Sequence, residues 1–296
     1  MDVIHKIKYK EEVAIMKVEF HCHTNISDCP LSIEEVLELA LLQNVSHLAI
    51  TNHDTTKGLE DAVKVGKKYG IEIIPGIEVS GYDFQRGKRV HILGYFIEPG
   101  HAAIEAICGP LVEQRHEISK EMVQRLIDSG YDITWERCLE IARGGTGVYK
   151  QHIMQVLIEK KYTNSIYGSL YKKLFNRKPP GIAFIPMQYI DAKEAVKMIR
   201  QAGGVPVLAH PGQYGNFDIV PELVEAGLEG IEVWHPLHNK EHEEQGKQLA
   251  EEYDLVMTGG SDFHGAYGEK PVLIGSKSPG IETLYALQLR KERLNV

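Results

Sequence analysis

A barrel of parallel strands wrapped by helices, within the α/β class, is the fold this sequence predicts, and three observations carry it. Seven apolar runs read as strands, most of them separated by helical stretches. Six of the seven end in His, Asp or Glu, so ligand-type side chains collect at one end of the sheet. No glycine-rich loop of the GxGxxG or Walker type marks an open nucleotide-binding sheet. In a closed barrel the strand ends converge on one mouth, where active sites sit. An open doubly wound sheet spreads the same residues along an edge.

The elements follow in order. Val18–His23 alternates apolar and polar residues as a strand does, and ends in His21 and His23, two residues apart and so on one face. Ser32–Asn44 reads as a helix, with Ser32 as N-cap and Glu35 completing a capping box. His47–Thr51 is a strand running into Asn52, His53 and Asp54. Leu59–Tyr69 is a helix stopped by Gly70. Ile71–Val79 is a strand carrying Glu78 at its end, and Val90–Phe96 a strand with His91 near its start or middle.

After Pro99 and Gly100 the pattern changes. Residues 101–186 contain helical stretches, Ile104–Ser129 and His152–Lys160, and no strand ending in a ligand-type residue. This predicts a small, mostly helical insertion domain. The first pattern then returns: a helix over Asp191–Gly203, a strand over Val205–Ala209 before His210, a helix over Val220–Ala226, and a strand over Leu228–Trp234 before His235. A helix over Lys240–Tyr253, a strand over Leu255–Thr258 before Asp262 and His264, and a last helix over Ile281–Glu292 complete the chain. The predicted division is an N-terminal extension over 1–16, a barrel domain over 17–100 and 187–296, and a substrate cap over 101–186.

Composition excludes several classes. Of 296 residues, 43% are hydrophobic and 25% charged, ordinary values for a globular protein. A net charge of −8 argues against long nucleic acids and acidic membranes as partners. No apolar run approaches the roughly 18 residues a membrane span needs, and Met1–Lys17 lacks the apolar core of a signal peptide. A cytoplasmic location is expected. Cys22, Cys29, Cys108 and Cys138 form no CxxC pair and suggest no disulfide framework.

The candidate metal ligands are His21, His23, Asp28, His53, Glu78, His91, His210, Asp262 and His264. Singly, each is an ordinary polar residue, as His47, His101, His116 and His242 are read to be. Packed together, the imidazoles repel on protonation and the carboxylates repel one another. Divalent cations remove both problems. Nine donors suit two or three ions, and mixed His and carboxylate ligands without thiolate suit Mn, Fe or Zn.

The motifs HCHTNISD, TNHD, GIEVS, HILGY, LAHPG, EVWHP and GGSDFH resemble, in order, the series of the PHP (polymerase and histidinol phosphatase) family, over residues 17–100 and 187–296. The wording is most similar to the small bacterial nucleoside phosphate and 3′,5′-nucleoside bisphosphate phosphatases. The resemblance implies a distorted (β/α)7 TIM-like barrel and a trinuclear metal centre. His21, His23, Glu78 and Asp262 would hold one ion, Glu78 would bridge to a second held by His91 and His210, and Asp28, His53 and His264 would hold a third.

The implied activity is hydrolysis of a phosphate monoester of a small nucleotide, of the AMP or 3′,5′-bisphosphate type, by metal-activated water. His235, left over at the sixth strand end, is the expected acid or substrate residue, and Asp54, beside His53, is the other residue expected in catalysis. Arg115, Arg143, Lys150 and His152 are the expected substrate-binding residues of the cap. Lys150 stands where the resembling phosphatases carry Arg, which keeps the charge and loses the bidentate fork. The alternatives are a histidinol phosphatase, a 5′–3′ exonuclease on short RNA, and a non-catalytic PHP module.

Overall fold

The computed structural model describes residues 17–294, so the expected extension over 1–16 lies outside the described residues. Its centre is an eight-stranded sheet: β1 (Lys17–Cys22), β2 (Val45–Ile50), β3 (Glu72–Asp83), β4 (Lys88–Tyr95), β5 (Ile190–Asp191), β6 (Val205–Leu208), β7 (Gly230–Trp234) and β8 (Val256–Gly259). The hydrogen-bonded path runs β1-β2-β3-β4-β6-β7-β8, with β5 beside β3. Every pairing is parallel except those of β4, which runs antiparallel to β3 and β6. The seven expected strands are present, and β5, two residues long, was not expected.

The reversal of β4 explains why His91 lies near the start of its strand while other candidate ligands lie at strand ends. The beginning of an antiparallel strand sits at the end where its parallel neighbours finish. The path is not closed by a strand pairing between β8 and β1. Its two edges meet at one parallel bridge, Cys22 to Phe263, where His23 N donates to Phe263 O at 3.0 Å.

Local sequence accounts for the helices around it. In α1 (Ile33–Leu42) Ser32 accepts from Glu35 N while the Glu35 carboxylate accepts from Ser32 N, the expected capping box. α2 (Leu59–Tyr69) ends at Gly70, whose φ of 68° is the left-handed stop that glycine takes without strain. α3 (Ala102–Asp128), α4 (Trp135–Ile141), α5 (Lys150–Glu159) and α6 (Ser169–Phe175) follow β4. α7 (Ala192–Gln201), α8 (Pro211–Tyr214), α9 (Val220–Ala226), α10 (Lys240–Glu252) and α11 (Ile281–Leu294) flank the later strands.

Packing divides into several clusters. Val18, Phe20, Ala49, Ile74, Leu93, Tyr95, Val207 and Val256, from six strands, meet in one cluster with Leu284 and Leu287 of α11. A second lies between the sheet and α7, α9 and α10, and includes Ile104 and Cys108 from the start of α3. The end of α3 belongs elsewhere: Met122, Val123 and Leu126 pack with Cys138, Val148, Ile153, Leu157, Leu174 and Phe175. All four cysteines are buried free thiols. Among the described residues no helix is long and apolar enough to cross a membrane.

One glycine shows how tightly the mouth is built. A Cβ on Gly260 would lie 2.3 Å from His21 Cβ and 2.6 Å from His21 N. Gly260→Ala is expected to destabilise the protein by about 1–3 kcal/mol, the usual cost of overpacking. Denaturant unfolding measures this, and an unchanged midpoint contradicts it.

Candidate metal centre

The strand ends bring all nine candidate ligands to one place. His21 Nε2 and His23 Nε2 lie 3.3 and 3.2 Å from Glu78 Oε2, and each lies 3.2 Å from Asp262 Oδ1. His53 Nδ1 is 3.2 Å from the same Glu78 oxygen. The other Glu78 oxygen, Oε1, is 2.6 Å from His91 Nδ1 and 2.8 Å from His210 Nε2. Asp28 Oδ1 is 3.4 Å from His264 Nε2, and Asp28 Oδ2 is 3.7 Å from His53 Nε2.

Three sets of donor atoms each lie within 4.8 Å of one another. They are His21, His23, Glu78 and Asp262; His23, Asp28, His53 and His264; and His53, Glu78 and His91. The first coincides with the expected first ion. The second adds His23 to the expected Asp28, His53 and His264. In the third, His53 stands with Glu78 and His91, while His210 reaches the group through its hydrogen bond to Glu78.

A test of fit comes from atoms that ought to be satisfied and are not. His21 Nε2, His23 Nε2, His53 Nδ1, Glu78 Oε2, Asp28 Oδ1 and Asp262 Oδ1 are buried without a hydrogen-bond partner. Buried polar atoms are rarely left so; five of them face one another about Glu78 Oε2 and Asp262 Oδ1, and Asp28 Oδ1 faces His264 Nε2. Two bonds of about 2.1 Å to a shared tetrahedral ion put their donor atoms about 3.4 Å apart, close to the separations seen. The residues therefore fit divalent cations.

Hydrogen bonds behind the cluster aim its donors. Glu232, fully buried, accepts from His21 Nδ1 at 3.1 Å and from His210 N at 2.8 Å. That turns His21 Nε2 to the cluster. His264 Nδ1 lies 2.9 Å from Asp262 O, which turns its Nε2 toward Asp28. Asn52 Oδ1 accepts from Thr24 N and Ser27 Oγ, fixing the loop that carries Asp28. Gln151 of α5 donates to Asp28 Oδ2 at 3.0 Å. The β1–β2 register shifts between Glu19 and Cys22, where the strand gives way to ligands. Asp54, His210 and Asp262 take φ of 54°, 27° and 47°, a left-handed backbone that non-glycine residues hold only when their surroundings impose it.

The charges are mutually adjusted. Burial raises the carboxyls of Glu78, Asp262 and Asp28, but the facing imidazoles outweigh it and hold all three below the usual range. Burial lowers His53 to about 4, which keeps it neutral and able to bind metal. Burial also opposes charge on His264, yet Asp28 and Asp262 outweigh it and raise that imidazole to about 10.

The cluster opens into a cavity of about 1050 Å³ lined by Arg115, Tyr149, Lys150, Gln151 and His235 among others. His235, 1% exposed, points Nε2 at Asp262 Oδ2 at 3.3 Å, and its Nδ1 accepts from Leu237 N. Lys150 lies over the Phe175 ring, and burial lowers its ammonium to about 8.

Three expected site residues are placed otherwise. Asp54 does not line the cavity. Its Oδ1 accepts from Ser80 N at 2.7 Å and its Oδ2 pairs with Arg115 at 2.5 Å. His152 is buried at the start of α5, where Nδ1 accepts from Tyr149 N. Arg143 is exposed and does not line the cavity. Sequence reading missed Glu232, Asn52 and Gln151. The first two sit inside the quoted motifs EVWHP and TNHD, where a non-random polar residue was the available signal.

The PHP domain model matches residues 19–202. A phosphoribosyl 1,2-cyclic phosphate 1,2-diphosphodiesterase of Eggerthella lenta is 45% identical over 86% of this chain and 96% of its own length. The chain belongs to the PHP family. Two further relatives are each 28% identical to this PHP chain. A 5′-3′ exoribonuclease of Haemophilus influenzae matches over 84% of this chain and 90% of its own. A 3′,5′-nucleoside bisphosphate phosphatase of Chromobacterium violaceum matches over 83% and 87%. A crystal structure from Bifidobacterium adolescentis, described as a metal-dependent phosphoesterase, superposes with a TM-score of 0.85 at 25% identity, over 93% of this chain and 96% of that one. This PHP protein is a metal-dependent phosphoesterase with an α/β fold built on a mostly parallel sheet.

Glu232→Gln is expected to weaken divalent-metal affinity about 10- to 100-fold, the usual effect of losing a group that orients a ligand. Competition against a chelating dye reads it, and wild-type affinity in the variant contradicts the role given to Glu232. Saturating wild type with metal at about 100 times Kd is expected to add about 2.7 kcal/mol of stability. A melting temperature indifferent to metal contradicts the fit.

Proposed function

We propose that the protein hydrolyses the phosphate ester of a small ribosyl phosphate, with a phosphoribosyl 1,2-cyclic phosphate as leading substrate and a 3′,5′-nucleoside bisphosphate as second. The observation that carries this reading is the union of nine converging donors with a cavity of about 1050 Å³ walled by Arg115, Lys150 and Tyr149. That volume suits a molecule of nucleotide size. The resemblance of the motifs favours a nucleotide; the 45% identity over nearly the whole of the E. lenta protein moves the phosphoribosyl compound ahead.

His21, His23, Glu78 and Asp262 are the proposed ligands of one ion; Glu78, His91 and His210 of a second; and Asp28, His53 and His264 of a third. Divalent ions, Mn, Fe or Zn, supply there a lowered pKa for water and positive charge against the phosphate. The chain's own residues do the rest. Arg115, held by Asp54 and lying 4.9 Å over the Tyr149 ring, presents a fixed guanidinium to a phosphate oxygen. Lys150 adds a second cation to the wall. His235 carries its proton on Nε2, toward Asp262 and the cavity, where it can pass to a leaving oxygen. Gln151 keeps Asp28 in place.

Residues 101–186 are read as the cap, because Tyr149, Lys150 and Gln151 reach the cluster from a core of their own. The sheet is read as a distorted barrel: six strands share one cluster and the Cys22–Phe263 bridge lies at its seam. Histidinol phosphate carries a cationic amine, and among the described residues lining the cavity Glu269 is the one acidic group outside the cluster to meet it. The expected small-molecule preference is tested against short RNA directly.

Metal-loaded protein is expected to hydrolyse the phosphoribosyl cyclic phosphate, the opened ring being read by phosphorus NMR, with kcat/KM at least about tenfold above adenosine 3′,5′-bisphosphate, AMP, histidinol phosphate and short RNA. No hydrolysis of any of them contradicts catalysis, and preference for RNA contradicts the substrate class. His235→Ala is expected to lower kcat about 10²- to 10⁴-fold with metal content intact. Unchanged turnover removes His235 from the reaction.

A further inference from the structure

The cavity carries positive charge that neither the cluster nor the cap residues above account for. Among the described residues its Arg89, Lys172, Arg177 and Lys270, like Lys150 above, have no carboxylate within 4 Å, whereas Arg115 is paired with Asp54. Unpaired cations collected at one opening, in a chain of net charge −8, point to an anionic ligand larger than one phosphate.

Arg89 is the best placed of them. The β3–β4 hairpin pairs Glu78 with Leu93, Ser80 with His91 and Tyr82 with Arg89. Residues two apart share a face, and so do cross-strand partners. One face therefore carries the ligands Glu78 and His91 and then, one rung further out, Arg89. That rung is about 6.8 Å along the strand from His91, on the order of a pentose bearing a phosphate at each end.

Aromatic rings hold this arginine. Arg89 lies over the Tyr189 ring at 5.6 Å, and Tyr189 stacks on Tyr82 at 5.8 Å with planes 9° apart. On the Tyr82 side, Arg177 lies 5.9 Å from the ring centre and donates to Tyr82 Oη at 3.0 Å. Tyr214 neighbours Arg89 while its ring lies 5.2 Å from His91 and 5.4 Å from His210, so the arginine and the ligands share a wall. The hairpin tip is anchored by Arg86, which pairs with Asp83, Asp218 and Glu222. A guanidinium so held keeps its fork of donors for a ligand and loses little freedom on binding.

We propose that Arg89, with Arg177 across the Tyr82–Tyr189 pair, forms a second anion subsite that grips a non-reacting phosphate of the substrate while the ester to be cleaved lies at the cluster. This rests on the reading of the protein as a phosphoesterase of small ribosyl phosphates. It makes the distal phosphate a requirement and assigns it to the hairpin face, with Arg177 of the cap beside it.

The test compares metal-loaded wild type and Arg89→Met on phosphoribosyl 1,2-cyclic phosphate and on the same cyclic phosphate without its 5-phosphate. The ratio of kcat/KM between these two substrates is expected to fall about 10- to 100-fold in Arg89→Met, and Arg89→Lys is expected to recover part of it. A merely structural role lowers both substrates in proportion, and a ratio unchanged from wild type overturns the proposal. If wild type turns over neither substrate, the proposed function fails, and calorimetric binding of ribose 1,5-bisphosphate decides the subsite by itself. Affinity at least tenfold weaker in Arg89→Met supports the subsite, and equal affinity overturns it.

Discussion

Everything at the mouth of this sheet depends on one buried carboxylate, Glu78, set among imidazoles. One of its oxygens faces His21, His23 and His53 at 3.2–3.3 Å, and the other contacts His91 and His210. Protonating these imidazoles would crowd like charges together, and atoms of His21, His23, His53 and Glu78 are all left without a hydrogen-bond partner. A shared positive charge resolves the conflict. The strands, the bridge between Cys22 and Phe263, and the missing side chain at Gly260 serve to bring these groups within reach of one another.

Much of the site was legible because its residues obey chemistry that spacing reveals. His21 and His23 lie two apart at a strand end, and Asp262 and His264 repeat that pattern at the last strand. The Ser32–Glu35 capping box and the Gly70 stop were readable for the same reason: each depends on neighbours in sequence. What was hidden depends on neighbours in space. Nothing local says that β4 runs antiparallel, although His91 at the wrong end of its strand was the trace of it. Glu232 and Asn52 act through residues about 211 and 25–28 positions away, so their partners were out of view. Asp54 looked catalytic beside His53, and only the fold shows that Arg115, 61 residues on, takes its carboxylate.

The substrate side of the cavity follows a different logic from the metal side. Ligands are held by hydrogen bonds from behind, which fix where each lone pair points. The cations are held by aromatic faces: Arg115 by Tyr149, Lys150 by Phe175 and Arg89 by Tyr189. Rings position a cation without neutralising it, so its charge stays available to a phosphate. Arg115 is the exception, with Asp54 as well as Tyr149. The family resemblance therefore rests on the chemistry of the cluster, while the proposed substrate contacts lie on the hairpin face and the cap.

Anomalous diffraction from crystals grown with manganese tests the central claim most directly. The account predicts at least two peaks. One lies roughly 2.0–2.2 Å from His21 Nε2, His23 Nε2, Glu78 Oε2 and Asp262 Oδ1. Another lies among Asp28, His53 and His264. A map with no peak within bonding distance of those atoms contradicts it.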